Sequence, residues 1–365
     1  MSSLAGAHPI PSSQHAHERS LAGCLTGMAV GDALGLPYEG LSPRRARRLF
    51  PDVDHFHFLV GRGMFSDDTE HACMTGQALL ASGGDASRFA RSLAWRLRWW
   101  LVGCPPAIGL ATLKACLKLW LGFGPNRSGV WSAGNGPCMR APVLGAALEN
   151  RPELIAEFVR RSTRITHTDP KAEQAALAIA WAAHLSAMGV NRPREAAEWL
   201  AMELGDSASE LVDLIRRAAA SAEAGHATEA FATELKLSRG VTGYVMHCVP
   251  AILQAWLRHP DDFAAAVKAV ILCGGDTDTN AAIVGGIVGA HVGVEGIPQR
   301  WRDGLAEWPR DLRWMARLGR ELTRAMAELR PRKTVPLNPI GILARNMVFT
   351  GTVFVHVFRR LLPPY

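Results

Sequence analysis

The sequence predicts an all-α protein with one large helical domain, on three observations. Apolar residues recur at helical spacing through most of the chain, as in FARSLAWRLRWWL (89–101) and ELIAEFVRRSTRI (153–165). Proline and glycine gather in short clusters between these stretches, at LSPRR, GCPPAIG, FGPNRSG and SAGNGP, which read as loops. Strand-like alternation is scarce: HFHFLV (55–60) is the best candidate strand, and no repeat of fixed period is present.

Three segments follow in order. Residues 1–18 are rich in Ser, His, Ala and Pro and are expected to form a tail, and residues 19–329 carry the helical pattern. Residues 330–365 differ in composition. PRKTVPLNPIGILARN holds three prolines, and MVFTGTVFVHVFRR is rich in Val, Phe and Thr, which favours β structure. This extension is expected to pack back on the domain; the alternative is a docking segment for a partner or a membrane surface.

Hydrophobic residues make up 48% and charged residues 20% of the 365, a globular balance that excludes wholesale disorder. The net charge of +7 favours an anionic substrate or partner. Nucleic-acid binding is not indicated, because the densest basic run, Arg44, Arg45, Arg47 and Arg48, lacks an aromatic platform and reads as a solvated helix face. Seven scattered cysteines without a CxxC pair argue against a disulfide framework or a zinc knuckle. A reducing compartment, no secretory leader and no spanning run of about 20 apolar residues make a cytoplasmic location the expectation.

Two glycine stripes stand out. Gly23, Gly27, Gly31 and Gly35 recur every fourth residue, as do Gly285, Gly289 and Gly293. That spacing lines one helix face. Glycine in a helix costs about 1 kcal/mol relative to Ala, so repeated glycine points to close backbone approach between packed helices. Neither stripe has the lysine or leading strand of a phosphate loop.

Two acidic clusters each open a helix: Ser66-Asp67-Asp68-Thr69, and Gly274-Gly275-Asp276-Thr277-Asp278-Thr279. One such cluster alone reads as a helix cap. Here four carboxylates and several hydroxyls exceed what capping needs, and the second cluster lies between apolar runs. Crowded carboxylates in that setting repel one another unless a cation sits among them. An all-oxygen donor set suits Mg²⁺ or Mn²⁺. His55 and His57 alternate within the candidate strand and have no third ligand nearby.

The chain resembles the ADP-ribosylglycohydrolases. The resemblance rests on GCLTGMAVGDALGLPYEG, FSDDTEHACMTGQALL, SAGNGPCMRAPVLGAAL, ITHTDPKAEQAALAIAWAAHL, GYVMHCVPAILQAW and CGGDTDTNAAIVGGIVGAHVG, all in the family's order between about Arg19 and Ala325. It implies a multi-helical orthogonal bundle with two neighbouring magnesium ions. Their implied ligands are Ser66, Asp67, Asp68, Asp276, Asp278 and Thr279, with Ser66 where some relatives have Thr. It also implies that Glu39 lies near the scissile ribose, with Asp67, Asp68 and Asp278 sharing in catalysis. Around ADP-ribose it places Gly134, Asn135, Gly136, Met139, Arg140, His167 and Tyr244. One departure is Ala107, where relatives acting on arginine-linked ADP-ribose have Asp, which puts arginine specificity in doubt.

The implied activity is magnesium-dependent hydrolysis of an N- or O-glycosidic bond, removing ADP-ribose from a modified protein or other acceptor. Three alternatives are weighed beside it. One is a catalytically weak ADP-ribose-binding protein. Another is a toxin-neutralising protein that binds an ADP-ribosyltransferase partner. The third is a two-metal phosphatase acting on a nucleotide.

Overall fold

The two glycine stripes meet. The helix Ser12–Gly35 packs antiparallel against the helix Thr277–Val292, the most extensive helix–helix contact among the described residues. A Cβ placed on Gly23, Gly27 or Gly31 would lie 2.1, 2.1 and 2.0 Å from the carbonyl oxygens of Gly289, Gly285 and Ala281. No side chain other than hydrogen fits there, so the seam explains the glycine period. At its end the Thr277 hydroxyl donates to the Gly35 carbonyl at 2.9 Å, which locks the C-terminus of one helix to the N-terminus of the other.

The computed structural model describes residues 12–105 and 108–362. Among them are seventeen α-helices, four 3₁₀ turns and no strand, only isolated bridges. The central pair is enclosed by the helices Asp67–Ser82, Ala141–Ala147, Pro170–Ala187, Val245–Arg258, Phe263–Leu272 and Leu312–Glu328. One continuous apolar core runs through them, with Trp256 and Trp301 among its largest buried side chains.

Four sequence expectations are corrected by this architecture. The first helix begins at Ser12, inside the segment expected to be a tail, and buried His17 is 3.0 Å from the Ala146 carbonyl. Residues 55–60 run as irregular backbone that ends in a tight turn bridged from Leu59 to Arg62, in place of a strand. His55 Nδ1 is 2.6 Å from Asp52 Oδ2, and Val60 has a left-handed φ of 47° and is exposed.

The third correction concerns the C-terminal extension, where the β-prone stretch lies in the helix Pro339–Arg360. Asn338 caps it by accepting from the backbone N–H groups of Ile340 and Gly341. Local propensity is overridden by a helical stripe, Arg345, Asn346, Phe349, Thr352 and His356, buried on the domain. Arg345 anchors it through Glu307 at 2.7 Å, Glu70 at 3.7 Å and the Phe65 carbonyl. Glu70 is itself held by Arg310 at 2.6 Å.

The fourth correction concerns membrane-spanning length. Among the described residues Pro339–Arg360 is long and apolar enough, by length and composition, to cross a membrane. Thr, Gly and His interrupt its apolar residues, so no unbroken run marks it in the sequence. All seven cysteines are free, as their spacing predicts.

Candidate active site

The seam sets the position of the acidic clusters, because one opens a helix of the central pair and the other opens a helix packed against that pair. Asp32, in the first helix, is fully buried and caps helix 67–82. Its carboxylate accepts from the Ser66 N–H at 2.8 Å, the Thr69 N–H at 3.0 Å and the Thr69 hydroxyl at 2.6 Å. Ser66 in turn donates from its hydroxyl to Asp68 Oδ2 at 3.0 Å. From the other cluster the Thr279 hydroxyl donates to the same oxygen at 3.1 Å. Segments more than 200 residues apart in sequence therefore meet on one carboxylate.

Gly274 and Gly275 bring a third segment to this junction. Both have left-handed φ, 66° and 87°, and a Cβ on Gly275 would lie 2.3 Å from the Val241 carbonyl oxygen. Their backbone pairs on one side with Gly40 and Leu41 and on the other with Val241, at 2.7–3.0 Å. Glu39 is thereby held beside Asp276 and Asp278. On the far side the Asn135 side-chain amide donates to Asp276 Oδ2 at 2.7 Å. The His167 ring packs on the same turn: a Cβ on Gly136 would stand 2.9 Å from its Cε1, so the ring needs glycine there.

A cleft of about 880 Å³ opens over these groups, within the range of small-ligand sites. Glu39, Ser66, Asp67, Asp276, Asp278 and Thr279 line it, as do Gly134, Asn135, Gly136, Met139 and His167. Three expected site residues stand elsewhere. Asp68 lies beneath the floor, buried between Ser66 and Thr279. Arg140 is wholly buried under the site. It donates to the Ser162 hydroxyl at 3.0 Å and the Thr166 hydroxyl at 2.7 Å, and so supports the residue before His167 without reaching the cleft. Tyr244 pairs with Gly134 through its backbone, but its hydroxyl accepts from Lys171 at 3.3 Å and its ring stacks edge-on against His247, away from the cleft. Ala107 lies outside the described residues. Sequence reading missed Asp32, Thr242, Arg239 and the C-terminal helix as contributors; a lone Asp in a glycine-striped helix is the signal that marks Asp32.

Burial and mutual repulsion dominate the electrostatics. Burial pushes Asp67, Asp68 and Asp278 well above the usual carboxylate range, reinforced by their acidic neighbours. Burial also raises Asp32, to about 6, against the pull of its hydrogen bonds. Glu39 is raised by burial and by Asp276, and is pulled back by the Arg360 guanidinium. Burial and the Arg140 charge hold His167 down at about 3, so its ring is neutral.

Two carboxylate oxygens, Asp68 Oδ1 and Asp278 Oδ1, are buried without a hydrogen-bond partner. Buried oxygens of that kind are costly unless a cation or donor meets them. Among the described residues no three Asp, Glu, His or Cys side chains close into a ligand shell. The donor set is nonetheless all hard oxygen, one orphaned atom comes from each cluster, and the excess negative charge fits a divalent cation.

A family model for ADP-ribosylglycohydrolase matches residues 13–332. The chain belongs to the ADP-ribosylglycohydrolase family. It is similar to an uncharacterized protein of Archaeoglobus fulgidus, 31% identical over 296 residues, which cover 80% of this chain and 92% of that protein. It is 26% identical to the ADP-ribosyl-[dinitrogen reductase] glycohydrolase of Rhodospirillum rubrum over 298 residues, 78% of this chain and 89% of the relative. A solved ADP-ribosylglycohydrolase-related protein complex contains a chain of the same fold. Its TM-score is 0.59 at 26% identity, covering 86% of this chain and 99% of that one. The all-α family fold expected from the sequence is thus observed. The family is one of hydrolases that remove ADP-ribose, and that level of description carries to this member.

Proposed function

We propose that this family member is a magnesium-dependent hydrolase that frees ADP-ribose from a modified protein or other acceptor. The observation that carries the reading is the meeting of the two acidic clusters on Asp68, with an orphaned buried oxygen on each side. Ser66, Asp67, Asp68, Asp276, Asp278 and Thr279 would hold a pair of divalent ions, magnesium first and manganese as a substitute. Such ions supply charge that fixes the ribose hydroxyls and offsets the carboxylates.

The remaining work falls to the chain's own groups. Asn135 holds Asp276 in place through its amide. The neutral His167 ring backs the Gly134–Gly136 turn and gives a nucleotide an uncharged surface to lie on. As the glycosidic bond breaks, positive charge grows on the sugar ring, and the carboxylates of Glu39, Asp67 and Asp278 stabilise it. Glu39, with its carboxyl raised above the ordinary range, is suited to take a proton from the attacking water.

The test is release of free ADP-ribose from a panel of defined linkages, with magnesium and with a chelator. Release that requires the metal on at least one linkage supports the reading. Phosphate release without free ADP-ribose would place the chain among nucleotide phosphatases instead.

A further inference from the structure

The C-terminal helix forms one wall of the cleft although it lies beyond residue 332, where the family match ends. Phe349, Val353, His356, Val357 and Arg360 face the cleft from this helix, and Leu36 and Phe58 continue the apolar surface. Arg360 is seated against the loop that carries Glu39. Its guanidinium donates to the Glu39 carbonyl at 2.9 Å and to the Pro37 carbonyl at 2.7 Å. Those bonds fix the cation beside the Glu39 carboxylate. Among the described residues lining the cleft, every carboxylate belongs to the Glu39, Asp67, Asp276 and Asp278 group, and the other charged side chains are Arg239 and Arg360.

We infer that this wall is an acceptor subsite that admits an uncharged or anionic leaving group and rejects a cationic one such as an arginine guanidinium. The inference rests on the hydrolase reading above. Hydrolysis breaks the bond from the anomeric carbon to the acceptor atom, joins the water oxygen to that carbon and delivers a water proton to the acceptor. The acceptor therefore leaves from beside Glu39, where Arg360 stands. A guanidinium there meets the like charge of Arg360, which already stands against the Glu39 carboxylate, and Phe349, Val353 and Val357 offer nothing to its five N–H donors. A hydroxyl or acyl group loses little against the same surface.

The experiment uses the full chain with magnesium and two ADP-ribosylated peptides, one modified on arginine and one on serine. The wild type is expected to release ADP-ribose at least about tenfold faster from the serine-linked peptide, the ratio that a like-charge penalty of about 1.4 kcal/mol gives. Arg360→Glu is expected to raise the relative arginine-linked rate by about tenfold, and Arg360→Lys to keep the wild-type ratio. Should Arg360→Glu fail to fold, Val357→Glu places a carboxylate on the same exposed wall and is expected to shift the ratio the same way. A wild type that prefers the arginine-linked peptide, or a ratio unmoved by the carboxylate variants, overturns the inference. Absence of release from both peptides would instead overturn the hydrolase reading, and the ratio of Kd values for the uncleaved peptides then decides this one.

Discussion

Replacing Gly27 by alanine tests whether the glycine seam builds the site. The new Cβ would stand 2.1 Å from the Gly285 carbonyl oxygen, against an ordinary contact of at least 3.4 Å, so the two helices must part by about 1.3 Å. Overpacking of this kind costs about 1–3 kcal/mol or more, and the better helix propensity of alanine returns only about 1. Because both partners at the contact are backbone, no rotamer change relieves it, so the cost lies at the upper end of that range and a net loss of about 2 kcal/mol is expected. Gly319→Ala is the control: it is also a buried helical glycine, but the nearest atom to its Cβ is 3.7 Å away, so alanine is expected to be neutral or to stabilise by about 0.5–1 kcal/mol. Urea denaturation reads both. The site should respond as well, since separation draws Thr279 from Asp68 and Glu39 from Asp278, and ADP-ribose release by Gly27→Ala should fall with stability. A Gly27→Ala protein as stable and as active as the parent would refute the argument.

Three further outcomes follow from the electrostatics and anchoring. Arg345→Ala leaves Glu307 without its buried ion-pair partner, while Glu70 keeps Arg310, and is expected to cost about 3–5 kcal/mol, with faster proteolysis within 339–360; equal stability by denaturation would count against the anchor. Asp278→Asn should stabilise the chelated protein. Its carboxyl keeps its proton in the fold well above the pH at which the unfolded chain releases it, so the parent loses stability as pH rises through that window and the variant does not. Paired melts in chelator should show a gap that widens with pH, and a constant or inverted gap contradicts the sign. Asn135→Ala removes the amide that holds Asp276 and is expected to weaken ADP-ribose binding by about tenfold, read by calorimetry, consistent with the loss of one charge-assisted hydrogen bond.

Features with a local signature were legible in the sequence. A glycine every fourth residue has few explanations other than close helix approach, and the seam follows from it. Acidic residues at two helix starts, more numerous than capping needs, pointed to one another before their contact through Asp68 was known. Features that depend on depth were not legible. Arg140 sits beside the turn that lines the cleft, and sequence cannot distinguish a cation facing a ligand from one buried beneath it. Asp32 was missed for the same reason in reverse, since its caps lie on a helix that starts 35 residues later. Residues 347–360 carry strand-prone side chains, yet the pattern that decides their structure is the buried stripe from Arg345 to His356, visible only against its partners Glu307, Phe58 and Phe65. Arg360 reaches the cleft from the far end of the chain, and nothing near Glu39 in sequence announces it.

The central claim is that the two clusters act together on a shared pair of divalent cations. The most direct measurement is a magnesium titration by calorimetry on the parent chain and on Asp67→Asn and Asp278→Asn. Binding in the parent that is lost or weakened by at least tenfold in each of the two variants, with both still folded, is the expected result. Unaltered magnesium binding in either one would contradict the claim.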